Sequence, residues 1–166
     1  MMEVREYRSV DKSSWGPGPW QDEPDKRQWQ DPATGLPCLI VRNPIVGNLC
    51  GYVGVPRGHP CYEVSYHDLP AEIEVHGGIT FSDRCDPREE AKERGICHIP
   101  GESESDDVWW LGFDCAHAFD YMPGMDPVVR RVQDKFPELH ALDTYRDIAW
   151  VSAEVERLAA ELHRHA

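Results

Sequence analysis

Five apolar residues near the C-terminus, Ile148, Val151, Val155, Leu158 and Leu162, recur at alternating steps of three and four. That period places them in one narrow line on an α-helix. The spacing predicts a helix that reaches nearly to the last residue. Thr144 and Asp147 resemble a capping box at its start, with Asp in place of the usual Glu or Gln. A line of this kind has to be covered, either by a sheet of the same chain or by a second copy in a dimer.

The body of the chain reads as strands. Between Glu72 and Phe81 the residues Ile73, Val75, Ile79 and Phe81 alternate with Glu72, Glu74, His76 and Thr80, which predicts a half-buried strand interrupted at Gly77-Gly78. Val108-Trp109-Trp110-Leu111-Gly112-Phe113 is apolar on both faces and is expected to be a central strand. Lys26 to Gln30, a turn at Asp31 to Gly35, and Cys38 to Val41 form a hairpin. Leu49 to Val55 is the next strand, ended by the prolines of Pro56-Arg57-Gly58-His59-Pro60. Ser13 to Asp25 is broken by Pro and Gly yet carries Trp15 and Trp20, with Trp29 just beyond, and is read as an arm laid over the body. Asp126-Pro127 opens a short helix through about Phe136.

The fold class that follows is α+β: a mostly antiparallel sheet with a long C-terminal helix on one face and a Trp/Pro-rich N-terminal arm. With 166 residues the chain fits one domain. It divides into an arm over 1–25, a sheet over 26–115 with an exposed insertion at 82–107, and a helical part over 126–166.

Charge limits the partners. Against 17 Lys and Arg stand 30 Asp and Glu, a net charge of −13. A field of that sign repels phosphate backbones, so neither nucleic acid nor an anionic membrane is an expected partner. A small molecule, a basic protein surface, or mere solubility fits it. The first residues, Met1 to Glu6, run into charge without an apolar core, and no apolar run reaches the roughly 20 residues of a membrane span. A cytoplasmic setting is expected, and in it six cysteines are free thiols or metal ligands.

The chemistry concentrates in two places. His76-Gly77-Gly78 and Asp114-Cys115-Ala116-His117 are polar groups in or at the end of apolar strands, where burial is costly unless they are bonded. If the strands are neighbours, His76, Asp114 and His117 hold a divalent metal such as zinc, serve as hydrogen-bond donors to an anionic ligand received by the Gly-Gly amides, or tie strand ends to loops. Cys115 beside a histidine is either a thiolate nucleophile or an inert core thiol. Tyr52, Arg57 and His59 stand near one strand end and could line the same pocket. Separately, Cys85, Cys97 and His98, with Cys115, form a candidate structural zinc set, weakened by the absence of any C-x-x-C pair.

The stretches Trp20 to Lys26, Gly51 to Pro60, His76-Gly77-Gly78-Ile79-Thr80-Phe81 and Trp109-Trp110-Leu111-Gly112-Phe113-Asp114-Cys115-Ala116-His117 resemble a group of small proteins encoded by bacteriophages and prophages. The similarity runs over most of the chain, to Tyr145-Arg146-Asp147. It implies the cytoplasm of an infected bacterium as the setting and assigns no activity. Three functions are expected to compete. They are a binder of a small anionic, nucleotide-like ligand, a metal-dependent hydrolase using His76, Asp114 and His117, and an acidic inhibitor docking on a basic host surface.

Overall fold

The computed structural model describes residues 3–102, 104–125, 135, 138 and 143–166. Six strands form one sheet: β1 (Arg5–Tyr7), β2 (Lys26–Gln30), β3 (Pro37–Arg42), β4 (Leu49–Pro56), β5 (Phe81–Arg84) and β6 (Val108–Asp114). Their order is β1-β2-β3-β4-β6-β5, and every neighbouring pair is antiparallel. A short helix, α1 (Ala91–Arg94), precedes β6, and the C-terminal helix, α2, spans Ile148–Arg164. The helix expected from Asp126 to Phe136 lies, Lys135 apart, outside the described residues.

Alternation along the strands sends two sets of side chains to opposite faces. On one face Ile40, Val53, Val55, Leu111 and Phe113 meet α2, whose Val151, Val155, Leu158 and Leu162 are fully buried. Burying four aliphatic side chains contributes roughly 6–12 kcal/mol gross. The apolar line of α2 is therefore covered by the sheet of the same chain. Gly51 permits the close approach: a Cβ there would stand 2.5 Å from Cγ2 of Val155. Asp147, not Thr144, caps the helix, its side chain accepting from the amide of Trp150 at 2.8 Å. Thr144 instead bridges to Asp120.

The second face carries Leu39, Tyr52, Val108 and Trp110. Residues 85–102 run over it; many of them are exposed, as expected of an insertion, but a few turn inward. Ala91, Cys97 and His98 are buried there. β2 holds this cover down by two side chains. The Lys26 ammonium donates to the carbonyls of Ala91, Lys92, Gly95 and Cys97 at 2.6–2.8 Å. Gln28 both donates to and accepts from the backbone of Ile99. Burial lowers the Lys26 ammonium to about 8, with Glu93 opposing the shift, and four carbonyl acceptors favour its charged form. With both faces covered, β6 has to be apolar throughout.

The arm is tied in by charge as well as by tryptophan. It contributes edge strand β1, and Trp20 packs on Tyr121 and Tyr145. Arg42, fully buried, donates to Asp25 at 2.8 Å, to Glu23 at 3.3 Å and to the Tyr145 hydroxyl at 2.8 Å. Lys12 pairs with Asp25 at 2.7 Å. Glu23 accepts the first amide of α2, that of Ile148, at 2.6 Å.

Two expectations for the middle of the chain need correction. Residues 72–80 are not a strand, and β5 begins at Phe81. Gly77 and Gly78 both have left-handed backbones (φ 68° and 81°), which a strand ladder cannot continue. Nor are all cysteines free: Cys85 and Cys97 form a disulfide, whereas Cys38, Cys50, Cys61 and Cys115 are thiols. Among the described residues no helix is long and apolar enough to cross a membrane.

Candidate functional site

The site begins where the sheet ends. Just past β6 the chain turns back at residues 117–120, the amide of Asp120 donating to the carbonyl of His117 at 3.0 Å. Phe119, in the turn, takes a left-handed backbone (φ 74°), a conformation that costs a bulky residue of order 1–3 kcal/mol. The turn carries the Asp120 carboxylate inward to full burial. There Oδ2 accepts from His76 Nε2 at 2.8 Å and from the His117 amide at 3.1 Å, and Oδ1 accepts from Arg146 Nε at 3.1 Å. Burial opposes ionisation of Asp120, but the hydrogen bonds from His76, His117 and Arg146 prevail and hold its carboxyl below the usual range.

An ionised carboxylate only accepts, so His76 Nε2 carries the proton that binds it. Nδ1 is left without a hydrogen-bond partner among the described residues. The ring is fixed from two further directions. The His76 amide donates to Glu154 Oε1 at 2.8 Å, and the Trp150 ring meets the imidazole edge-on, with centroids 5.0 Å apart. Arg146 stacks over Trp150 at 4.6 Å, so one arginine buttresses both the acid and the aromatic ring.

His117 lies beside this group, its ring 5.8 Å from that of His76. Its Nε2 is 3.2 Å from Asp114 Oδ1 but out of line for a hydrogen bond. It also faces Gly77, where a Cβ would come within 2.1 Å of it. Gly77 is required both by its backbone angle and by this imidazole. The Asp114 carboxylate accepts from Thr80 Oγ1 and from the Ala116 amide.

An open cleft of about 450 Å³ lies in front of His76, walled by Ile73, Val75, Trp150, Glu154 and Arg157. A larger hollow, about 500 Å³, lies on the other side of the sheet among Gln28, His98 and Glu104. His98 is buried with Nε2 unpartnered among the described residues, and burial lowers its pKa, favouring the neutral ring.

The sequence candidates thus separate into groups. His76, Gly77, Gly78, Asp114 and His117 are brought together. Tyr52 points to the second face of the sheet, buried edge-on against Phe81. Arg57 is exposed and paired with Asp107 at 2.8 Å. His59 accepts the Cys61 amide at Nδ1 and donates from Nε2 to the Leu162 carbonyl at 2.8 Å, which caps the end of α2. Cys115 is buried under α2, where burial, with Asp120, Cys50 and Asp114 adding to it, drives its thiol far above the range of a nucleophile. Its place on that face also separates it from Cys85, Cys97 and His98.

Sequence reasoning missed Asp120, Arg146, Trp150 and Glu154. Trp150, Glu154 and Arg157 stand at helical spacings beside the apolar line of α2, a signal that could have been found. Asp120 sits in a polar stretch without pattern. Among the described residues, the donors that lie within 4.8 Å of one another in a group of three belong to Cys85, Cys97 and Asp106, not to His76, Asp114 and His117. No family model, curated protein or solved structure matches the chain.

Proposed function

We propose that the protein binds a small molecule with a planar ring and a polar edge, such as a nucleoside or nucleotide, in the cleft in front of His76. The observation that carries this reading is the fixed imidazole. A fully buried acid accepts from His76 Nε2, the His117 amide and Arg146 at once, and Nδ1 remains for recognition at the cleft. Orienting a side chain that a solvent-open cleft reaches is the arrangement a binding site needs.

Recognition there rests on the ring more than on charge. Arg157, paired with Glu154 at 2.5 Å, is the cation at the rim, and Glu74 adds a second carboxylate. An anionic group on the ligand fits only where it reaches Arg157, away from Glu74. A sequestering role in an infected bacterium is the setting we propose, on the resemblance to phage and prophage proteins.

The test is a thermal-shift and calorimetric screen of the full chain against nucleosides and mononucleotides. A ligand at 100 times its Kd adds about 2.7 kcal/mol to stability, roughly 5–10 °C in Tm for a chain of this length. His76→Ala is expected to weaken binding at least tenfold while its far-UV circular dichroism stays that of the parent. The reading fails if no compound in the screen raises Tm, or if His76→Ala binds as the parent does.

A further inference from the structure

The disulfide between Cys85 and Cys97 lies on the second face of the sheet, away from the His76 cleft. A third donor group accompanies it: the exposed carboxylate of Asp106 and the two sulfurs all lie within 4.8 Å of one another. A tetrahedral zinc ion with bonds of about 2.0–2.3 Å sets its ligands about 3.3–3.8 Å apart. The two sulfurs, joined here by a bond of about 2 Å, would have to part by about 1.5 Å on reduction, with Asp106 already within reach as a third ligand.

Two features hold the backbones around Cys85 and Cys97 in place without the disulfide. The carbonyl of Cys97 accepts from the buried Lys26 ammonium at 2.6 Å, and three more carbonyls of the same cover share that ammonium. The Asp86 amide donates to the Ile96 carbonyl at 3.1 Å, which joins the stretch after Cys85 to the stretch before Cys97. The sulfurs therefore still face each other once the S–S bond is cut. Around Cys85 the surroundings suit a thiolate, since the buried indole of Trp110 donates from Nε1 to its sulfur at 3.4 Å.

We propose that Cys85, Cys97 and Asp106 form a zinc site that opens on reduction. A dithiol reductant supplies two electrons and two protons, cutting the S–S bond to two thiols while it becomes a disulfide itself. Zinc then displaces the two thiol protons and takes two thiolates and one Asp106 carboxylate oxygen, with water as the fourth ligand. In an oxidising medium the same pair closes the cover covalently, and in a reducing one zinc closes it. Cys115, on the opposite face, takes no part, and the donor that replaces it is Asp106.

The test uses the full chain, reduced under anaerobic conditions, freed of reductant and titrated with cobalt(II) and then zinc(II). One equivalent of cobalt should bind with thiolate-to-metal charge-transfer absorption, and zinc should displace it. The oxidised chain should show no such band. Cys85→Ser should abolish the band, and Asp106→Asn, at an exposed position that leaves the core untouched, should weaken zinc binding at least tenfold. Cys50→Ser should bind as the parent does. The proposal is overturned if the reduced parent binds no cobalt, or if binding is equal in the oxidised chain, or if neither Cys85→Ser nor Asp106→Asn weakens it.

Discussion

Asp120 and Asp25 show how far a single side chain can depart from what its residue type suggests. Both are acids buried almost completely. In each, burial works against ionisation and is outweighed: at Asp25 by Lys12, by the amides of Val10 and Ser9 and by Arg42, and at Asp120 by His76, the His117 amide and Arg146. Their folded pKa values lie below the unfolded ones. The stability they contribute is therefore complete above roughly pH 4 and is lost as pH falls through the folded values. His98 acts in the same direction from a higher pH, because unfolding lets its buried neutral ring protonate below about pH 6.5. Urea unfolding should accordingly show a midpoint that declines gently from pH 7 to 5 and steeply below 4. A midpoint that stays flat to pH 3 would mean these groups are not bonded as described. At this scale the sequence marked His76, Asp114 and His117 as polar residues set in or beside apolar stretches. It could not mark Asp120, whose importance comes from a turn that a strained Phe119 allows.

At the scale of elements, α2 was the most legible part of the chain, because a period of three and four residues survives without knowledge of what covers it. The sheet face that covers it makes the consequence of a deletion definite. Leu158→Ala removes a fully buried side chain from the packed face and is expected to cost about 2–5 kcal/mol. The urea midpoint should fall with its slope unchanged. A cost under 1 kcal/mol would mean that α2 is not docked as described. The strand expected at 72–81 failed for a reason that alternation cannot reveal. Period two reports which side chains are buried, and Ile73 and Val75 are indeed buried, but in a loop whose backbone bonds to Glu154 and to itself. The segment at 82–107 is largely exposed, as its charge suggests, but that charge hides a few inward-facing side chains. Its few apolar residues, among them Ala91, Ile96 and Cys97, are enough to cover a sheet face when Lys26 and Gln28 hold the backbone down.

For the whole molecule, the decisive assembly is the one that joins arm, sheet and C-terminal helix. Arg42 of β3 binds Asp25 and Glu23 of the arm and Tyr145 ahead of α2, and Glu23 then meets the first amide of that helix. Removing one member of a buried ionic network leaves the others charged and unpaired, so Arg42→Ala should cost about 3–5 kcal/mol. It should also release the arm, read as early proteolysis before Lys26 and faster hydrogen exchange at the amides of Ser9 and Val10. A variant that unfolds at the parent's midpoint with a protected arm would refute this account.

By itself the sequence determined the α+β class, the buried line of α2 and the interior place of β6, and it singled out His76 and His117 without establishing that they meet. Each of these is written in local periodicity or in a polar residue set among apolar ones. Only the tertiary structure decided that Asp120 holds His76, that Arg57, His59 and Tyr52 stand elsewhere, and that Asp106 joins Cys85 and Cys97. Those pairings bring together residues far apart along the chain, and the free energy that selects them comes from burial and bonding that exist only once the sheet has both faces covered.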